Sequence, residues 1–247
     1  MSDLAAGIAR HLEAVAAERE RRAARPDLAA RVTALKAYQQ ARFSHTYADL
    51  LASDRYGAAS RYFLDELYGP KDFSARDDQF ARVAPKIARV FPDQVAETLA
   101  ILGELHALSE ALDSAMAERL PGEPITSTDY IAAWQGVGRA DERERQIALT
   151  LSIAAQLDRI TRLPLLRNAL RLMRGPARAA GFADLQRSLE LGFDTFKAMK
   201  GADEFIAFIA EREQALAAAL FAAGTGAAAG AASMAQALAA LPSAEPD

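Results

Sequence analysis

The chain has 247 residues, of which 51% are hydrophobic and 25% are charged, and its formal net charge at pH 7 is −4. This length and composition are typical of a globular protein with a sizeable core. The negative charge argues against general nucleic-acid binding, which needs a basic surface. The absence of cysteine excludes disulfides, thiolate nucleophiles and cysteine-ligated metal sites.

The N-terminal sequence MSDLAAGIAR lacks the basic region and apolar core of a signal peptide. No apolar run approaches the length that is needed to span a bilayer. We therefore expect a cytoplasmic protein with no membrane association.

The first two predicted helices follow from apolar residues at helical spacing. Ser2 can cap the first helix, which ends in a charged run before Pro26. Its apolar face carries Leu4, Ile8, Leu12 and Val15. The second helix is predicted from about Asp27 to Asp54.

Residues 61–91, RYFLDELYGPKDFSARDDQFARVAPKIARVF, predict a helix–turn–helix at the middle of the core. Aromatic side chains crowd its short first helix, so other parts of the protein must cover most of that helix. These aromatic residues are Tyr62, Phe63 and Tyr68. Gly69 and Pro70 end the helix, and a capping box of Ser74 and Asp77 begins the next one.

The remaining helices are predicted between glycine and proline breaks. Their approximate bounds are 93–120, 129–135, 141–160, 163–174, 182–200 and 203–220. Asp141 and Glu144 form the capping box of the third of these, and Gly175 and Pro176 end the fourth. No segment alternates in the manner of a strand.

We therefore predict an all-α protein, a single multi-helix bundle of about eight helices that occupies residues 1–221. Residues 222–247 are rich in alanine and glycine and are predicted to form a disordered tail without a packed role, with at most a brief helix near residues 234–241.

Residues 62–68, YFLDELY, are similar to the F-F-L-E-E-L-Y motif of a family of uncharacterised bacterial proteins. The similarity extends through LGELHALSEALDSAM at residues 102–116 and GFDTFKAMKGADEFIAFIAERE at residues 192–213. It covers most of the chain, from about residue 41 to residue 221. This resemblance implies no particular activity.

Signatures of known enzymes are absent from the sequence. It has no G-x-S-x-G, no phosphate-binding loop, no H-E-x-x-H and no pair of E-x-x-H motifs of the ferritin type. We therefore expect a protein that acts by binding rather than by catalysis, and its oligomeric state stays open.

His106 allows two interpretations. In the first it is a structural histidine whose ring is satisfied by Glu110, one helical turn later, or by a neighbouring helix. The second starts from residues 102–106, LGELH, which resemble the L-G-x-x-H pattern of the proximal helix in many bacterial globins. That resemblance implies a haem-binding sensor with globin-like central helices. His106 would be the axial ligand, and Tyr62, Phe63 and Phe73 would occupy the distal half; no other cofactor is predicted.

A basic stripe follows in the predicted helix 163–174 and just beyond it, with Arg159 and Arg162 upstream. Its members are Arg167, Arg171, Arg174 and Arg178. The pattern favours a solvated face, or ion pairs with acidic helices of the same chain such as Asp65–Glu66 or Asp77–Asp78. Otherwise the stripe would bind an acidic partner, a phosphate group or nucleic acid. An acidic protein partner is the binding function that we predict.

Overall fold

A computed structural model describes residues 3–66, 78–84, 93–163, 166–224 and 228–242. All regular structure in these ranges is helical, in twelve segments. They are α1 (Asp3–Ala23), α2 (Pro26–Thr46), α3 (Ala48–Ala52), α4 (Gly57–Glu66), α5 (residues 78–84), α6 (Asp93–Ala117), α7 (Ser127–Val137), α8 (Ala140–Thr161), α9 (Leu166–Ala179), α10 (Ala183–Ala198), α11 (Asp203–Ala222) and α12 (Ala228–Ala240). The all-α prediction is confirmed, but the predicted number of about eight helices is too low.

One reason for the larger number is a break at Tyr47. The predicted helix from Asp27 to Asp54 is two helices, because the backbone of Tyr47 leaves the helical region at φ −116°. The Tyr47 side chain is fully buried, and its hydroxyl donates a hydrogen bond of 2.6 Å to Glu213 on α11. The break thus directs an aromatic ring into the core.

Two helices organise the bundle. Helix α6 packs against α1, α2, α7 and α8, and α8 packs in turn against α9, α10 and α11. Because the main contacts of α9 within the described residues are with α10 and, less extensively, with α8, it lies at the edge of the bundle. These contacts do not single out a globin-like arrangement of the central helices.

The larger core cluster lies between α2, α6, α7, α11 and α12. Its central aromatic group consists of Tyr130 and Trp134, with Tyr38 and Phe221 packed beside them. Burial of rings of this size contributes about 2–3 kcal/mol each. Trp134, which falls in a short predicted helix, therefore holds α7 and α11 together.

A second, aromatic cluster contains Phe63 of the motif at residues 62–68. Its ring lies 5.8 Å from that of Phe196 on α10 and 6.0 Å from that of Phe205 on α11, measured between centroids. The neighbouring Tyr62 packs directly on Gly192, where a Cβ atom would lie only 2.7 Å from the Tyr62 hydroxyl. Glycine at this position lets α4 and α10 approach closely.

Two helix ends differ from the predictions. Helix α8 does not begin at a capping box of Asp141 and Glu144, because the turn is made earlier by Gly138 and Arg139, both at positive φ. The capping box of α7 was not predicted. There Thr126 accepts a hydrogen bond from the backbone of Asp129, whose side chain accepts from the backbone of Thr126.

Helix α9 continues through Gly175 and Pro176 to Ala179, so the predicted end at these residues is wrong. A proline inside a helix removes one backbone hydrogen bond. The carbonyl group that loses its partner belongs to Leu172, which is 79% exposed, so water can satisfy it. Arg178 is therefore on the same helix as Arg167, Arg171 and Arg174.

Part of the predicted helix–turn–helix lies outside the described residues. This concerns the turn at Gly69 and Pro70, the capping box that starts at Ser74, and Phe73. The described parts are α4, which carries the aromatic residues Tyr62 and Phe63, and α5.

Residues 228–240 form α12, so the predicted disorder is not confirmed for this part of the tail, and the helix is longer than the brief one expected near residues 234–241. Ala237 and Leu241 are buried in the larger core. His45 Nε2 lies 3.0 Å from the Ala239 carbonyl oxygen, and the Thr46 hydroxyl donates to the Ala240 carbonyl at 3.2 Å. Alanine-rich composition is compatible with a helix because alanine has the highest helix propensity. The division into a domain of residues 1–221 and a separate tail stays a prediction.

None of the helices in the described ranges combines the length and the apolar character that a membrane crossing requires. The cytoplasmic location stays a prediction.

Two alanines of α12 test whether this helix is docked. Ala237 is fully buried, whereas Ala235 is exposed. We expect Ala237→Asp to destabilise the protein by about 2–3 kcal/mol, because it places an unpaired carboxylate in an apolar contact. Chemical denaturation measures the difference. The matched variant Ala235→Asp should leave stability within about 0.5 kcal/mol of the wild type. Equal stability of the two variants would contradict the docked arrangement.

Candidate functional site

His106 lies on α6 with its side chain 22% exposed. Its Nε2 atom is 3.6 Å from a carboxylate oxygen of Glu110, one helical turn later. This environment agrees with the first interpretation of His106, in which it is a structural histidine and Glu110 is the partner of its imidazole. It places a charged group at the nitrogen that would otherwise be available to iron.

Glu110 joins three helices. Its side chain is 8% exposed and forms ion pairs with Arg22 of α1 and, at 2.9 Å, with Lys36 of α2. Arg22 also donates to the Glu110 carbonyl oxygen at 2.7 Å and to the Ser114 hydroxyl at 2.8 Å. Burial would raise the pKa of Glu110, but His106, Lys36 and Arg22 together hold the pKa well below its ordinary value. The carboxylate is therefore ionised at neutral pH.

The other residues of the haem hypothesis lie elsewhere. Tyr62 and Phe63 belong to α4, which packs on α10, α3 and α2. Phe63 is enclosed by Phe196 and Phe205, and Phe73 lies outside the described residues. The haem hypothesis stays a prediction.

A further group of buried charges was not predicted from the sequence. Arg42 of α2 forms an ion pair with Glu213 of α11, and Arg143 of α8 lies over the Trp134 ring at 4.1 Å from its centroid. Asp113 accepts a hydrogen bond of 3.1 Å from Gln39, and its burial raises the pKa of this carboxyl group. These residues fall on apolar-rich helices without a motif, so only the three-dimensional structure brings them together.

Within the described residues Arg42 is paired with Glu213, Asp113 accepts from Gln39 and Arg143 donates to Gln146. Histidines and carboxylates that could hold a metal ion do not cluster in the described ranges.

Two of the four arginines of the basic stripe form ion pairs within the protein. Arg167 donates to Glu190 at 3.1 Å and to Asp194 at 2.6 Å, both on α10. Arg174 forms a multiple hydrogen bond with Glu190, with 2.7 Å between Nε and Oε1. The Arg174 guanidinium is the main reason why the pKa of Glu190 falls to about 2. Intramolecular ion pairs thus exist at Arg167 and Arg174, with Glu190 and Asp194 of α10; of the acidic residues named above, Asp77 lies outside the described residues.

The other half of the stripe faces water. Arg171 and Arg178 are exposed, and no hydrogen bond or ion pair joins them to another described residue. Between them lie Leu172, which is 79% exposed, and Met173, which is 51% exposed. We call Arg171, Leu172 and Arg178 the outer face of α9, because their side chains project within about 120° of one another around the helix, whereas Met173 projects nearly opposite Arg171.

A family model described as "Domain of unknown function (DUF8198)" matches residues 18–226. No curated protein and no solved structure matches the chain. The prediction of an uncharacterised family is thus confirmed in this coarse form. The F-F-L-E-E-L-Y motif as the mark of the family stays a prediction, as does the globin resemblance.

Haem binding at His106 can be tested by its absorption spectrum. We expect no saturable Soret band that depends on His106 when hemin is added to the purified protein, because Glu110 occupies the side of the imidazole that iron would need. UV–visible titration of the wild type and of His106→Ala measures this. A stoichiometric band that is lost in His106→Ala would instead support the haem-binding sensor.

The Glu110 cluster predicts a specific acid sensitivity. Replacement of Glu110 by glutamine should destabilise the protein by about 3 kcal/mol at pH 7, because Arg22 and Lys36 lose their counter-charge. Since its folded-state pKa is lowered, Glu110 stabilises the protein above its ordinary pKa of 4.5. This contribution is lost as the pH falls toward the folded-state value.

Urea denaturation of the wild type and Glu110→Gln between pH 7 and pH 3 measures this effect, and the difference between the two should shrink on acidification. Glu104→Gln is the control, since Glu104 pairs with Arg145 at the surface and should cost less than about 1 kcal/mol. A difference between Glu110→Gln and the wild type that stays constant with pH would contradict the assignment.

Proposed function

The chain belongs to the family of the domain of unknown function DUF8198, and we propose that it acts by binding an acidic protein segment on the outer face of α9. The observation that carries this proposal is the 79% exposure of Leu172 directly beside Arg171. An apolar side chain of this size gains free energy when a partner removes it from water. The function is therefore association rather than catalysis.

The contacts that hold α9 in place favour a binding surface that is ordered before a partner arrives. Arg167 and Arg174 tie one side of the helix to Glu190, and Arg167 reaches Asp194 as well. Leu166, Leu170 and Ala177 lie on the inner side and are at least partly buried. Because the backbone is already ordered, a partner pays little conformational entropy for fixing it.

The charge of α9 favours an acidic partner. The helix sequence LRNALRLMRGPARA contains four arginines and no aspartate or glutamate. Arg171 and Arg178 keep their positive charge without a described counter-ion, whereas the protein as a whole carries a net charge of −4. An acidic segment is repelled by most of the surface and attracted here. Apolar residues of that segment would cover Leu172.

Charge reversal on the outer face tests the proposal. The probe is a fluorescein-labelled helical peptide with leucine and glutamate on one face, titrated with the protein at low and high salt. We expect Arg171→Glu to weaken binding about tenfold or more, because attraction becomes repulsion. We expect Leu172→Ser to weaken it through lost apolar contact. Fluorescence anisotropy gives both dissociation constants.

The matched control is Arg10→Glu, which makes the same charge change at an exposed residue of α1 and should leave the affinity unchanged. Wild-type binding should weaken with salt, since the contacts are near the surface. The proposal is wrong if Arg171→Glu binds the peptide as tightly as Arg10→Glu does.

A further inference from the structure

A cleft of about 410 Å³ opens where the C-terminal ends of α8 and α10 meet the turn that leads into α11. It is lined by Asp158, Thr161, Arg162, Phe196, Lys197, Lys200 and Gly201. Phe196 is fully buried and forms the floor of the cleft. The volume lies within the range of sites for small molecules.

The charges of the cleft are strongly unequal. Three cationic side chains line it, Arg162, Lys197 and Lys200, against the single carboxylate of Asp158. Asp158 is already paired with Arg162, and its side chain is 8% exposed. The two lysines remain as a surplus of two positive charges on exposed side chains.

Cations at the end of a helix often serve only to bind its last carbonyl groups. Here those groups have other partners. The Asp158 carbonyl accepts from the Thr161 hydroxyl at 2.9 Å, and backbone amides of the following turns take the carbonyl oxygens of Arg159, Ile160, Phe196 and Lys197. The two lysines are therefore not needed as caps.

Arg55 holds the backbone of the turn between α10 and α11. Arg55 donates to the carbonyl oxygens of Met199 at 3.0 Å and of Gly201 at 3.2 Å. Two backbone acceptors that would repel an anion are thereby occupied by a guanidinium group from the opposite side of the turn.

Lys200 has an unusual backbone conformation at the rim of the cleft. Its φ of +55° lies in the left-handed region, which glycine adopts more easily than a residue with a side chain. The sequence nevertheless has lysine here and glycine one residue later. Strained residues of this kind cluster at binding sites, and this one lines the cleft together with Lys197 and Arg162.

We propose that this cleft binds the phosphate group of a small organic phosphate. A phosphate monoester carries close to two negative charges at neutral pH, which equals the surplus charge of the lysines. Lysine ammonium groups bind phosphate as point charges, and the Arg162 guanidinium, which lies close to Gly201, completes one wall. This site is separate from the outer face of α9 and goes beyond the function proposed for that face.

The variant Lys200→Gly tests ligand binding without a loss of stability. Glycine relieves the backbone strain, so this variant should be at least as stable as the wild type in thermal denaturation, and it removes one cation. Isothermal titration calorimetry with ribose 5-phosphate, inorganic phosphate and sulfate should show saturable binding of ribose 5-phosphate to the wild type. We expect the affinity to fall about tenfold or more in Lys200→Gly.

Lys197→Met is a second variant that keeps an unbranched side chain over the Phe193 ring, where Lys197 now lies, and it should show a similar loss. Arg10→Gln is the control for removal of an exposed cation and should bind as the wild type does. Absence of saturable binding, or equal binding by wild type and Lys200→Gly, would overturn the site. Tighter binding of a phosphoserine peptide than of ribose 5-phosphate would overturn its assignment to a small molecule.

Discussion

The ionised carboxylate of Glu110 is the constraint on which the first half of the bundle depends. A buried carboxylate is costly unless cations and donors surround it, and here Arg22, Lys36 and His106 come from three different positions on α1, α2 and α6. The apolar contacts between these helices are made largely of small and aliphatic side chains, which specify register weakly. The ion pairs fix how α1 and α2 lie along α6, and His106 lies among the groups that surround Glu110.

The fold class followed from periodicity, because apolar residues at helical spacing must face a core whatever the topology. Helix ends were less predictable where tertiary contacts decide them. Tyr47 interrupts a continuous helical pattern because its ring enters the core and its hydroxyl reaches Glu213. Pro176 fails to end α9 because the carbonyl group it deprives is exposed. The alanine-rich residues 228–240 carry too little pattern to show that α2 and α11 offer them a surface.

For the candidate site, the sequence indicated residue types but not pairings. The spacing of the arginines placed Arg167, Arg171 and Arg174 on one helix side, yet Glu190 and Asp194, which neutralise two positions of this stripe, lie on α10 and carry no signal of their own. The local i, i+4 relation between His106 and Glu110 was predictable because it depends on helix geometry alone. Contacts with Arg22 and Lys36, more than seventy residues away, were not.

The small buried contact of α12 has a consequence for its dynamics. Its fully buried contact consists of Ala237 and Leu241, whose apolar burial contributes about 2–3 kcal/mol. A free energy of this size, taken alone, corresponds to detachment in about one molecule in a hundred at any moment. Backbone amides of α12 should then exchange with solvent deuterium through this local opening, while α6, packed against four helices, keeps its amides protected. The last helix of the chain behaves as a separately opening unit on a more stable bundle.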